Sequence, residues 1–533
     1  MDARTDSCDA IVIGAGPNGL VAANALADAG WDVIILEAQP EVGGAVRSAE
    51  VTAPGFTSDL FSAFYPLAAA SPLIRDLELD RHGLEWVQAP SVLAHQLDDG
   101  RSAVLHRDAE RTAGGLDGFG AGDGDAWLDL FAQWRRVRNG VLDALFTPFP
   151  PVAAGARLLG VLKAAGALRL ARLAVTPVRR LAEETFHGDG GRLLLTGNAM
   201  HADVPPDGAG SGMFGWLLAM LGQDVGFPVP RGGAGVLARA LTSRVESLGA
   251  QVRTNAPVAE VLVRGRRAHG VRLVDGSVIT ARRAILADVP APALYSQLLG
   301  KVLLPTRLRK DIAQFHWDNA TLKLNWALNG PVPWLNEATG PAGTVHLGVD
   351  VDGFVDVGAD LSVGRMPRRP FVLFGQMTTA DPSRSPVGTE SAWAYTHLPQ
   401  RHAADAGAVE EQVRRVEDAV ERVAPGFAES VLARNVQSPA DLEAANASLV
   451  DGALNAGTSA IHQELVFRPT PGLARPETPI DGLYLASASA HPGGGVHGAC
   501  GWNAARSALR ANGRLGLVHT ALVRTAWERV LRD

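Results

Sequence analysis

Short apolar runs alternate with helix-period segments at the two ends of the chain, and the same rhythm returns once in its middle. Asp9-Ala-Ile-Val-Ile13 reads as a buried parallel strand, and LVAANALADAG (20–30) behind it has small and apolar residues at helical spacing. Trp31 to Leu36 is a second strand, closing on Glu37. In the middle, Pro230 to Leu237 opens a helix and 249–254 is a strand, with further strands at 257–263, 270–276 and 279–287. Near the end, 478–486 is a turn with a short strand, and ACGWNAARSALRANG (499–513) is a helix closed by glycine. Between these blocks the pattern is mostly helical. DAWLDLFAQWRRVRNGVLDALF (125–146) is amphipathic, and 152–175, after Pro148, Pro150 and Pro151, is a basic, apolar helix. The stretch 401–423, rich in Ala, Glu and Arg, reads as a solvated helix. Thr321 to Leu328 alternates like a strand, so Lys323 and Asn325 share one face.

The first block carries Gly14-Ala-Gly16-Pro-Asn-Gly19 between its strand and its helix. Gly14 suits the tight turn, Gly16 lets a pyrophosphate approach the backbone, and Gly19 lets helix and strand pack closely. Free N–H groups and the positive dipole at the helix start favour phosphate, and Glu37 is placed to accept hydrogen bonds from a ribose diol. This context specifies dinucleotide binding and leaves NAD and FAD both open. Gly493, Gly495 and Gly498 also satisfy GxGxxG. A second dinucleotide unit there would need a following strand closed by an acid, and Leu515 to Val518 is too short and has none. A glycine-rich loop at a helix N-terminus remains, suited to negative charge on a bound cofactor ring.

With 533 residues, two intertwined domains are the natural expectation. A formal charge of −7 argues against a nucleic-acid partner, because phosphate neutralisation needs a basic surface. Cys8 and Cys500 are the only cysteines, without CxxC, which excludes a disulfide framework or zinc site and points to a reducing, cytoplasmic setting. The polar start MDARTDSCDA does not read as a signal peptide. Arg157, Lys163, Arg169 and Arg172 interrupt the nearest approach to a membrane span, so the chain is expected to be soluble or to sit on a membrane face. The alternative for 152–175 is a cap helix packed on its neighbours.

Two stretches carry family resemblances. Glu41-Val-Gly43-Gly44 resembles the glycine pair of glutathione-reductase-type flavoproteins, a resemblance that implies FAD. Relatives follow that pair directly with arginine; here Arg47 comes two places late, either as a phosphate contact or as a surface arginine. DGLYLASASAHPGGGVHG (481–498) resembles the C-terminal signature of bacterial phytoene desaturases and carotenoid isomerases, and GGGVHGACG is closer still to their phytoene-dehydrogenase-related branch. Ser487 and Gly494 depart from the desaturase pattern, which sets the chain beside the carotenoid enzymes. The resemblance implies an α/β fold: a glutathione-reductase-type Rossmann FAD domain with an interleaved α+β substrate domain, as in amine oxidases and phytoene desaturases. FAD-binding parts are then expected at 1–71, 226–299 and 466–533, with substrate parts at 72–225 (helix-rich) and 300–465.

The resemblance also places residues. Val258 matches the position that meets adenine through its backbone, and Gly493, Gly494, Gly495 and Val496 should lie at the isoalloxazine. The strand of Lys323 resembles that of amine oxidases whose lysine holds a water at flavin N5; the alternative is a lysine reaching solvent. His491 and His497 flank the glycine loop, as proton relays or as turn hydrogen bonders, with His201, His462 and Arg468 as weaker candidates. Tyr65 and its apolar neighbours should wall the cavity. No residue pattern suggests a metal. The expected activity is hydride transfer from a C–H or C–N bond of an apolar small molecule to FAD, with oxygen or a quinone as final acceptor. A redox-neutral double-bond isomerase and a flavin-bearing binding protein without turnover are the alternatives.

Overall fold

The computed structural model describes residues 6–472 and 474–531. Two seven-stranded sheets organise it. The first has at its centre the parallel strands Gln251–Arg253, Val33–Leu36, Asp6–Ile13, Val278–Ala287 and Leu483–Leu485, in that spatial order. The antiparallel hairpin Val258–Arg264/Arg267–Leu273 joins the start of Val278–Ala287. Alternate side chains of the strand Asp6–Ile13 serve two cores. Ala10 and Val12 pack under the helices Pro17–Asp28, Gly235–Ser247 and Ala499–Ala511, while Ile11 and Ile13 face the layer containing Leu294, Leu308 and Ile312. Burial on both faces explains the continuous apolar run. The strands of this sheet come from 6–36, 251–287 and 483–485, so its parts are interleaved with the second sheet along the chain.

The second sheet runs in the order Val431–Gln437, Ala320–Leu328, Glu390–Leu398, Val372–Gln376, Ala342–Leu347, Ser91–Gln96, Ser102–Leu105. Sequence periodicity exposed only Ala320–Leu328 among these strands. One face packs on the helix Ala406–Val423, where Val409, Val413, Val416 and Val420 are buried. The reading of 401–423 as a solvated helix is thereby corrected: one side of it is core. On the other face the register aligns Lys323, Tyr395, Leu373, His346 and His95 in a single row across five strands. The helices Asp189–His201 and Ser211–Val225 lie over that side.

Two further segments differ from their sequence reading. Residues around Leu515 to Val518 start the helix Gly516–Val530. The helix Val152–Val175 packs on Asp123–Phe146 and Ser211–Val225 yet leaves Leu159 and Leu168 57% and 72% exposed, with Val152, Val161 and Val175 also exposed. It is packed on its neighbours, with part of its apolar surface left uncovered. Among the described residues no helix is long and apolar enough to cross a membrane.

Candidate functional site

A cavity of about 880 Å³, near the top of the range for small-molecule sites (roughly 300–1,000 Å³), is lined from both halves of the chain. One end is the glycine turn. Gly14, Gly16, Pro17 and Asn18 line it together with Glu37, Gly44, Arg47 and Val258. Gly19 stands behind: a Cβ there would lie 2.2 Å from the Gly14 carbonyl, so the helix Pro17–Asp28 approaches the turn this closely only with glycine. Gly43 likewise stands behind the lining, with φ +116 in a turn where an added Cβ would meet the Val46 carbonyl at 2.5 Å. Glu37 is buried at the end of its strand, where its carboxylate accepts from the Ala15 and Gln39 amides at 2.8 and 2.9 Å. Asn18 Oδ1 is buried beside the cavity with no partner.

The helix start has no side-chain N-cap of its own; the Gly19 amide instead donates to Asp288 Oδ2 at 2.8 Å. Sequence reasoning missed Asp288. It immediately follows Val278–Ala287, and the carboxyl ends of parallel strands are where α/β sheets place ligands, a signal that was available. Burial, with the Glu37 carboxylate nearby, pushes the Asp288 carboxyl up to about 7. A folded-state value above the ordinary 3.8 contributes stability that is complete below that ordinary value and is lost as pH rises through about 7. Asn at 288 can still accept from Gly19, so Asp288→Asn apoprotein is expected to show a flatter urea-stability profile between about pH 5 and 8. Parallel profiles would mean that Asp288 is ionised throughout.

Arg47 is no surface arginine. It lines the cavity, donates to the Gly44 and Ala445 carbonyls at 3.1 and 2.6 Å, and lies 5.1 Å over the Phe61 ring. It therefore braces the turn after Gly44 against the loop at 445–449.

At the second end Gly494, Gly495, Val496 and His497 line the cavity, ahead of the helix Ala499–Ala511. His497 Nδ1 accepts from the Ala499 amide at 3.0 Å, and burial pushes its imidazole down to about 4. The ring is thus neutral at neutral pH, with its proton assigned to Nε2 by that bond. Gly493 and His491 do not line the cavity. Gly493 turns the loop beside Glu464 and Arg468, and His491 packs edge-on to Phe149 at 6.1 Å. Arg468 is 1% exposed and binds Glu464 and four backbone carbonyls, and His462 stacks on His316; neither lines the cavity.

Between the two ends the walls are apolar and aromatic. Phe64, Tyr65, Leu67, Phe214, Leu217, Leu218, Phe227, Trp317 and Trp393 contribute, and His201, Tyr395 and His397 close one part of it. Lys323 is not in this wall. Its Nζ donates to the Phe61 carbonyl at 2.9 Å and lies 4.6 Å from the Trp393 ring centroid, behind two residues that are in the wall. Burial brings its ammonium down to about 7. It is not a lysine reaching solvent, being 2% exposed. Lys323→Met is accordingly expected to leave flavin reoxidation by oxygen within about two-fold, roughly 0.4 kcal/mol, while substrate KM rises as Phe61 and Trp393 lose their anchor. Stopped-flow separation of the half-reactions checks this; a ten-fold slower reoxidation would place the ammonium at the flavin.

The pattern of the family described as flavin containing amine oxidoreductase matches residues 18–509. The chain belongs to that family. It is an FAD-dependent oxidoreductase, and the cradle fits the cofactor: a backbone turn open at Gly16, an unpartnered Asn18 oxygen and a buried acid at one end, a glycine loop before a helix at the other. The chain is similar to the mouse (Mus musculus) pyridine nucleotide-disulfide oxidoreductase domain-containing protein 2, 29% identical over 94% of this chain and 93% of the relative. It is 24% identical to the neurosporene-forming phytoene desaturase of Cereibacter sphaeroides, over 93% of each chain. Its fold is similar to that of an oxidoreductase from Methanosarcina mazei, with a TM-score of 0.62 over 94% of this chain and 99% of that one at 16% identity.

Proposed function

We propose that this chain oxidises an apolar substrate by removing hydride from a C–H bond, in a desaturation or a C–N oxidation. The observation that carries the reading is the continuity of one cavity: its apolar walls run without a break into the cofactor cradle. FAD, when bound, supplies the hydride acceptor at N5 and passes the electrons on to oxygen or a quinone. The protein's own part is to hold the substrate between Phe64, Leu67, Phe214, Leu217 and Trp393, to exclude water, and to present neutral imidazoles. That a relative is a phytoene desaturase supports an apolar substrate. The helix Val152–Val175 extends the reading to delivery. Its exposed Leu159 and Leu168 stand on either side of a break at Lys163, near Lys163 and Arg169, while Arg157 and Arg172 pair with Asp143 and Glu184; apolar and basic side chains together suit an anionic membrane face. It packs on Ser211–Val225, whose Phe214, Leu217 and Leu218 line the cavity, so lipid would lie next to the substrate wall.

Anaerobic mixing with terpenes, polyenes and alkylamines tests the reading. Loss of oxidised-flavin absorbance with one of these donors, followed by peroxide or reduced quinone on reoxidation, is expected. Double-bond isomerisation only after prereduction, with no net electron flow, would replace it with the isomerase reading.

A further inference from the structure

The part of the cavity farthest in character from its apolar walls is also where buried polar groups are least satisfied. Trp393, Tyr395 and His397 share one face of the strand Glu390–Leu398, and His201 arrives from the end of the helix Asp189–His201. The His201 ring lies 6.2 Å from Tyr395 and 5.7 Å from His346, which in turn lies 6.2 Å from His95. Three ring nitrogens of cavity-lining residues are buried without a partner, His201 Nδ1 and both nitrogens of His397; behind the wall His95 Nδ1 and both nitrogens of His346 have none either. Buried nitrogens normally have partners, and a concentration of exceptions calls for a missing one. His397 is 6% exposed, and His201, Tyr395 and His397 reach the cavity itself. Among the described residues these histidines do not come together as a metal site.

We propose that His201, Tyr395 and His397 form a binding site for one uncharged oxygen group, a hydroxyl or a carbonyl, carried by an otherwise apolar substrate. The proposal rests on the apolar-substrate reading above and adds a polar end to that substrate. A phenol and two imidazoles offer both donors and acceptors, which suits an oxygen that accepts and, as an alcohol, also donates. Burial pushes His201 down to about 4, so it is neutral at neutral pH. A carboxylate would meet no cation there: the Lys323 ammonium is turned to the Phe61 carbonyl, and Asp203 stands 4.0 Å from His397 Nε2. An ammonium group would find Asp203 already engaged, since both its oxygens accept from Asn319 at 2.8 Å. Of the three, only His201 was a candidate from the sequence; Tyr395 and His397 lie on a strand whose alternation is hidden.

Calorimetric titration of the FAD-loaded protein with farnesol, farnesene, farnesoic acid and farnesylamine compares four end groups on one isoprenoid chain. Farnesol is expected to bind about ten-fold tighter than farnesene, the weight of roughly 1.4 kcal/mol, and tighter than either charged probe. Tyr395→Phe and His397→Leu should each remove most of that advantage while farnesene affinity stays within about two-fold. Equal affinity of farnesol and farnesene overturns the oxygen site and leaves the apolar-substrate reading standing. Tightest binding of the acid or the amine overturns it in favour of a charged end group. Binding of none of the four overturns both readings. The wild-type series decides these outcomes even where a variant fails to fold.

Discussion

Gly16→Val is expected to fold but to purify without flavin, its FAD affinity lowered by at least about 100-fold, roughly 2.8 kcal/mol. A Cβ on Gly16 would lie 2.8 Å from Asp288 Oδ2, and Gly44 already approaches the Gly16 Cα so closely that its own Cβ would stand 3.0 Å away. A branched side chain therefore fills the space between the turn, Gly44 and Asp288, where phosphate must meet the backbone. The apoprotein can shift the Asp288 carboxylate and survive; a pyrophosphate in the same space cannot be shifted. Circular dichroism should report a wild-type fold while equilibrium titration shows the loss. Full flavin occupancy in this variant would mean that the pyrophosphate is held elsewhere.

Arg468→Met is expected to cost about 3–5 kcal/mol of stability, the range for breaking a buried pair by removing one partner. Arg468 and Glu464 are 1% and 8% exposed and 2.8 Å apart. The same guanidinium donates to the Ala488, Thr458 and Asn455 carbonyls at 2.8, 3.0 and 2.8 Å, so it ties together loops that supply Asn455, Ser459 and Ala488 to the cavity wall. Its loss should lower the urea midpoint and accelerate FAD release together. Burial already pushes the Glu464 carboxyl up to about 7, so with Arg468 gone it should protonate at neutral pH, and the deficit should shrink as pH falls from about 8 to 5. A deficit that grows on acidification would show that the pair is not the source of the stability.

The cofactor half was legible because its evidence is local. The turn from Gly14 to Gly19, the helix behind it and the acid at Glu37 lie within one strand–helix–strand unit, and their geometry follows from their spacing. Asp288 was not legible in the same way: it caps Gly19 from 269 residues away. The second sheet was hidden for another reason. Its inner strands are buried on both faces, and in Glu390–Leu398 polar side chains turn inward, as with Glu390, Ser391, Thr396 and His397, so there neither polar alternation nor a clean apolar run survives. The helix Ala406–Val423 did carry a signal, valines at three- and four-residue spacing, which its charged composition outweighed. The loop after Ala486 reaches the cavity, but which of its residues face inward depends on turns: Gly494, Gly495, Val496 and His497 line it, whereas His491 and Gly493 do not.

One FAD is expected to span the cavity, held without a covalent bond between the turn at Gly16 and the loop at Gly494. Both cysteines are buried, Cys500 at a helix start with its thiol toward the Ala490 and Gly493 carbonyls, so neither is placed for linkage. Denaturing precipitation of the purified protein, followed by mass spectrometry and quantitation of the supernatant, tests the claim most directly. One FAD per chain released into solution is the predicted result. FMN in its place, or flavin remaining on the polypeptide, would contradict it.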